Sequence, residues 1–152
     1  MGRTMGKMKK VWTALFIIYL CILFRITVFR SGMSFSHLFE NGTLNLIPFK
    51  DLLTIPRTSG WFRFIYLTVG NIVWFVPFGA YFVYRKPKNS VLFACLSGLL
   101  LSFLIEFLQY MFGTGVSEID DLILNTLGTL AGALAMKLWE MTRRCFNDKI
   151  SK

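Results

Sequence analysis

Four long apolar runs, at about Val11–Phe29, Phe64–Tyr84, Ser90–Phe112 and Ile119–Met141, constrain this chain more than any other feature. A helix needs roughly 20 mostly apolar residues to cross about 30 Å of hydrocarbon, and each run approaches or exceeds that length. The runs take up more than half of the 152 residues, and 55% of the chain is hydrophobic, more than a soluble core of this size could bury. The expectation is an all-α fold: one integral membrane domain over residues 1–152, a bundle of four transmembrane helices. The first run has an alternative reading as a cleaved signal sequence, because Lys7, Lys9 and Lys10 precede it. Its length, the presence of Arg25 and the want of a small-residue cleavage site favour a retained helix.

The formal net charge of +9 points to a membrane rather than to nucleic acid because of where the charges fall. Arg3, Lys7, Lys9 and Lys10 precede the first run; Arg85, Lys86 and Lys88 fill the turn between the second and third. Lys137, Arg143, Arg144, Lys149 and Lys152 cluster at or after the end of the fourth. The connection "GTGVSE" between the third and fourth carries no basic residue. Lysine and arginine near span ends stay on the cytoplasmic side, so both termini and the middle turn are expected inside. Arg30–Arg63 and Gly113–Glu118 are then expected outside, with four basic residues in the longer segment as a mild dissent. Membrane lipid is the expected partner of the basic ends. Cys21, Cys95 and Cys145 are an odd number without ligand spacing, so neither a disulfide framework nor a metal is expected, and no cofactor is implied.

In the outer segment, "ENG" at Glu40–Gly42 signals a turn, and Pro48 and Pro56 argue against a continuous helix. Phe49, Leu52, Leu53 and Ile55 are too apolar for a free loop and too short to span. They are expected to lie on the outer interface, with Trp61 and Tyr66 anchoring the rim. His37, the single histidine, reads as a loop residue rather than a base. In the second run Pro77 removes one backbone donor and should kink the helix. In the fourth, Gly128 and Gly132 stand at GxxxG spacing, which allows close helix approach.

Polar residues inside the runs share a depth. At 1.5 Å per residue, Glu106 lies about 24 Å along the third run from its inner start and Arg25 about 22 Å along the first. Asn71 is about 10 Å below the outer start of the second, and Asn125 about 9 Å below that of the fourth. Gly98, Ser102, Glu106 and Gln109 recur at three and four residues and share a helix face, as do Asp121, Asn125, Gly128 and Gly132. The two stripes are expected to meet, with Glu106, Gln109, Asp121 and Asn125 converging on an outward-open polar pocket. Arg25 is the one basic residue well inside a run and Glu106 the one acid, which makes them natural partners. Ionisable groups cost about 2.5–3.5 kcal/mol each to insert, so a function is the default explanation. An ion pair that only fixes helix register is the competing one. For Asp120, a solvated helix cap suffices.

The motifs "NLIPF", "NIVWFVPFG", "IEFLQ" and "DDLILNTLGTLAG", in this order between Asn45 and Gly132, resemble those of the VanZ-like family. Each means little alone; the set is specific. The family consists of small bacterial membrane proteins named for an accessory protein of glycopeptide resistance clusters and linked to teicoplanin resistance. Carried across, its pattern falls on Asn45, Pro48, Phe49, Asn71, Pro77, Phe78 and Gly79, then on Glu106, Gln109, Asp121, Asn125 and Gly128. Some relatives carry an arginine in the loop before the acidic motif, where this chain reads "GTGVSEIDD" with none. That departure turns attention to Arg25 as a substitute.

The resemblance implies a multi-pass protein of the bacterial cytoplasmic membrane. It would bind or modulate an outward-facing lipid-linked or lipid-inserted molecule, an envelope lipid or a lipoglycopeptide, and lower susceptibility to teicoplanin. The ligand-binding candidates are Arg25, Asn45, Asn71, Glu106, Gln109, Asp121 and Asn125. No nucleophile elbow, phosphate loop or HExxH occurs, so the reading leans away from an enzyme. The alternative is a membrane enzyme with Glu106 or Asp121 as general base on an envelope lipid or its carrier. A third class, a structural partner of another envelope protein, would need neither charge.

Overall fold

The computed structural model describes residues 2–29, 38–40, 42–85 and 90–150. His37, Lys86, Lys88 and Lys152 lie outside these described residues, as does the start of the expected outer segment. Five helices and two short strands follow in the order α1 (Gly2–Thr27), β1 (Thr43–Asn45), α2 (Lys50–Thr58), α3 (Trp61–Arg85), α4 (Ser90–Phe112), β2 (Val116–Glu118) and α5 (Ile119–Ile150). Four of the helices are long and apolar enough to cross a membrane. They exceed the expected runs where polar residues continue the helix: α1 begins in the basic N-terminal stretch, and α5 carries on through Arg143 and Arg144.

The closest helix pair is α3 with α5. A Cβ added to Gly79 would fall on the carbonyl oxygen of Thr129, one on Gly128 on that of Ile72, and one on Gly132 on that of Val76. The GxxxG pair thus seats α5 on α3, not on α4 as the shared stripe implied. Gly98 of α4 instead makes room for the Thr129 side chain. Helix α3 runs through Pro77 without a break. Proline there leaves the Val73 carbonyl without its usual donor, and one residue on, the Tyr19 hydroxyl donates to the Trp74 carbonyl at 2.6 Å. Stacking of Phe16 on Tyr81, with ring centres 3.7 Å apart, completes the seam between α1 and α3.

Two apolar clusters fill the bundle. Leu23, Val28, Phe75 and Ile105 lie near the ladder end, and Val83, Ala94 and Ala133 near the other. The outward faces keep large apolar side chains exposed, among them Ile18, Ile22, Leu92, Leu100 and Leu138. That is the surface a lipid-facing bundle needs.

An all-helical expectation missed one element. Strands β1 and β2 pair in parallel, Thr43 with Val116, Leu44 with Ser117 and Asn45 with Glu118. Both segments are non-helical and flank apolar helices, where backbone polar groups cannot go unpaired; each supplies the other's partners. Gly42 lets the strand in, since a Cβ there would meet the Tyr110 carbonyl. Gly113 ends α4 in the left-handed region at φ 63°, and the amide of Thr114 closes on the Gln109 carbonyl at 3.1 Å. Beyond β1, α2 takes in Pro56 in its last turn, so this proline ends a short helix rather than preventing one.

Candidate functional site

The polar residues gather where α4 ends, β2 crosses and α5 begins. On α4, Ser102, Glu106 and Gln109 follow one another at helical spacing along a buried face. On α5, Asp121 and Asn125 stand one turn apart. Asn71 joins from α3, and β1 brings in Asn45 from outside.

Their contacts divide among three neighbours. Glu106 accepts the backbone N–H of Glu118 at 2.9 Å and a hydrogen bond from the Ser117 hydroxyl, so its carboxylate closes the crossing strand onto α4. Gln109 lies between two acceptors: its Nε2 reaches the Thr27 carbonyl of α1 at 3.3 Å, and with the amide turned over it reaches both Glu106 oxygens at 3.2 Å. The Asn125 amide donates to Ser102 Oγ at 2.8 Å, joining α5 to α4. The Asn71 amide donates to Asp121 Oδ1, joining α3 to α5. Asn45 Oδ1 accepts the Ile47 amide at 3.3 Å.

Two expectations fail on geometry. Arg25 and Glu106 form no ion pair among the described residues: Arg25 is exposed and donates to the Phe29 carbonyl, just past the end of α1, at 2.6 Å. Depth matched the two, but rotation does not. The buried residue of α1 at this level is Leu23, and Arg25, two residues on, lies far round the helix from it. Nor do the polar residues line an open pocket. Glu106 is 3% exposed, Gln109 6%, Asn125 4% and Ser102 0%, so they pack against one another. Asp121, Asn71 and Asn45 are half-buried.

Asp120 is the residue that sequence reasoning undervalued. A solvated cap would be exposed, whereas Asp120 is 2% exposed and its Oδ1 accepts the backbone N–H of Phe49 at 2.7 Å. Phe49 there adopts a left-handed conformation at φ 60°. The signal was the doubled acid itself, because neighbours on a helix point about 100° apart and serve different partners. Asp121 turns to α3, and Asp120 turns to the outer segment. Among the described residues, two acceptors in the group are buried without a partner, Asp120 Oδ2 and Asn125 Oδ1. With Glu106, Glu118 and Asp121 close by, the site is rich in acceptors. Chemically, it is suited to meeting a hydrogen-bond donor or a cationic group.

Comparison with known proteins comes to the same region of the chain. The family model described as VanZ/LLP1 matches residues 16–140. A protein of Enterococcus faecium, Protein VanZ, is 29% identical over 137 residues, which cover 89% of this chain and 77% of that one. No solved structure matches the chain.

Proposed function

The chain belongs to the VanZ/LLP1 family, and from that membership we propose that it engages an outward-facing lipid-linked or lipid-inserted molecule and lowers susceptibility to lipoglycopeptide antibiotics such as teicoplanin. It works as a multi-pass protein of the bacterial cytoplasmic membrane, with both termini inside. The ladder, α2 and the polar cluster then lie at the outer rim. The basic residues at the start of α1 and along the last part of α5, against none in the α4–α5 crossing, support this orientation.

One observation carries the reading. Among the described residues, Asp120 Oδ2 and Asn125 Oδ1 are buried acceptors without donors, and each such group costs about 1–3 kcal/mol. A ligand donor reaching them from the outer rim would relieve that cost, which suits recognition better than helix packing. Asn45, Asn71, Glu106, Gln109 and Asp121 supply the surrounding contacts. Arg25, exposed at the end of α1, serves the rim.

The second reading, a membrane enzyme, draws on Glu106, a carboxylate held by Glu118 and Ser117 with Asp121 near it. One experiment tests both. Glu106→Gln and Asn125→Leu are expressed in a susceptible strain, and membrane abundance is measured beside teicoplanin susceptibility. Recognition predicts near-normal abundance with a reduced phenotype in each. Complete loss with Glu106→Gln alone favours catalysis. Abundance and phenotype falling in proportion would make the cluster packing only.

A further inference from the structure

At the end of the bundle away from the ladder, where α1 begins and α3 ends, a cleft of about 350 Å³ opens between the two helices. Lys9, Lys10 and Arg85 line it, together with Thr13, Ala14 and Ile17. Lys9 and Lys10 are neighbours on α1 and Arg85 comes from the end of α3, and among the described residues none of the three has an acidic partner within ion-pair distance. Three exposed like charges side by side raise the local positive potential, which favours an anion among them.

The cleft walls are fixed rather than incidental. The Thr13 hydroxyl donates to the Lys9 carbonyl at 2.9 Å and lies 3.2 Å from the Tyr81 hydroxyl of α3. Trp12 packs on Tyr84 and Phe16 stacks on Tyr81, holding the helices in register on either side. The lining is also graded. The two lysines lie nearer the start of α1, and Ala14 and Ile17 continue the wall one to two turns further toward the apolar middle. A charged edge above an apolar wall has the polarity of a phospholipid, with a phosphate at the surface and acyl methylenes beneath. Basic pockets between transmembrane helices on the inner side hold anionic headgroups in this way.

We infer that the cleft between α1 and α3 is a binding site for the phosphate headgroup of an anionic membrane lipid. It is separate from the polar cluster at the other end and does not depend on what that cluster binds.

The test is native mass spectrometry of the full-length protein from micelles doped equally with phosphatidylglycerol and phosphatidylcholine. One phosphatidylglycerol should remain bound in preference. Retention should fall about tenfold or more in Lys9→Gln/Lys10→Gln/Arg85→Gln. It should hold in Lys137→Gln/Arg143→Gln/Arg144→Gln, which removes as much charge elsewhere. Ala14→Phe, which fills the cleft at unchanged charge, should also lose the lipid; circular dichroism reports whether each variant keeps its helices. Equal retention of the two lipids by the unaltered protein overturns the site without reference to any variant. So does equal loss in the two triple variants. Displacement of the lipid by inorganic phosphate alone would make the site one for soluble phosphate and overturn the lipid assignment.

Discussion

The Asp120 carboxylate accepts the backbone N–H of Phe49 at 2.7 Å, a bond between residues 71 positions apart. It fastens the segment before α2, at a residue held in the left-handed region, to the first turn of α5. A buried charged acceptor and a backbone donor make one of the stronger kinds of single hydrogen bond.

Replacing Asp120 should therefore loosen the outer segment before it loosens the bundle. Asp120→Ala leaves the Phe49 amide unpaired and should cost about 1.5–3 kcal/mol, while Asp120→Asn keeps an acceptor and should cost less than half as much. Thermal unfolding in detergent gives the stability, and limited proteolysis between Thr43 and Thr58 gives the local effect. Equal losses in the two variants would mean that charge matters and the bond to Phe49 does not.

The glycines on the α3–α5 seam make a sharper test of packing. Gly132→Ala sets a methyl group against the Val76 carbonyl, and overpacking of this kind costs about 1–3 kcal/mol. A Cβ at Gly70 of α3 meets nothing within 4 Å. Gly70→Ala should be neutral or stabilise by up to about 1 kcal/mol through helix propensity. Melting temperatures of the two variants should move in opposite directions or, at the least, differ widely.

Arg25 and Glu106 should behave as strangers. Because Arg25 holds the Phe29 carbonyl just past α1 and Glu106 holds β2, the costs of Arg25→Met and Glu106→Gln should add to within about 0.3–0.5 kcal/mol in the double variant. Recovery of stability in the double variant would restore the ion pair that depth alone suggested.

Ser102 and Asn125 should couple. Their hydrogen bond joins α4 to α5 inside the bundle, where such bonds average about 0.6 kcal/mol. A double-mutant cycle of Ser102→Ala and Asn125→Leu should return a coupling of that order. A value indistinguishable from zero would show that the two side chains do not bond in the membrane.

Orientation is testable by labelling in a variant without native cysteines. Val116, exposed on β2, should react from outside as Val116→Cys with an impermeant maleimide. A cysteine restored at position 145 alone, exposed on the far part of α5, should react only after permeabilisation. The reverse pattern would place the polar cluster on the cytoplasmic side.

The spans were legible because apolar length needs no partner to be read. So was the buried face through Ser102, Glu106 and Gln109, since its spacing belongs to one helix. Rotation between helices was not legible: Arg25 had the right depth on the wrong side of α1, and Gly128 and Gly132 shared a stripe with Asn125 yet seat a different neighbour. The ladder was invisible for a further reason. Three-residue strands carry almost no pattern, and their pairing depends on backbone need at a place that only the assembled helices define.

That ladder also orders events during synthesis. Thr43, Leu44 and Asn45 are made long before Val116, Ser117 and Glu118, their partners across the sheet. At about 5–20 residues per second, the interval is on the order of several seconds. Through it, β1 and the Phe49 amide await a docking surface that exists only when the last hairpin has entered the bilayer. This early part of the chain is thus among the last to settle, and a nascent chain arrested before α5 would leave it undocked.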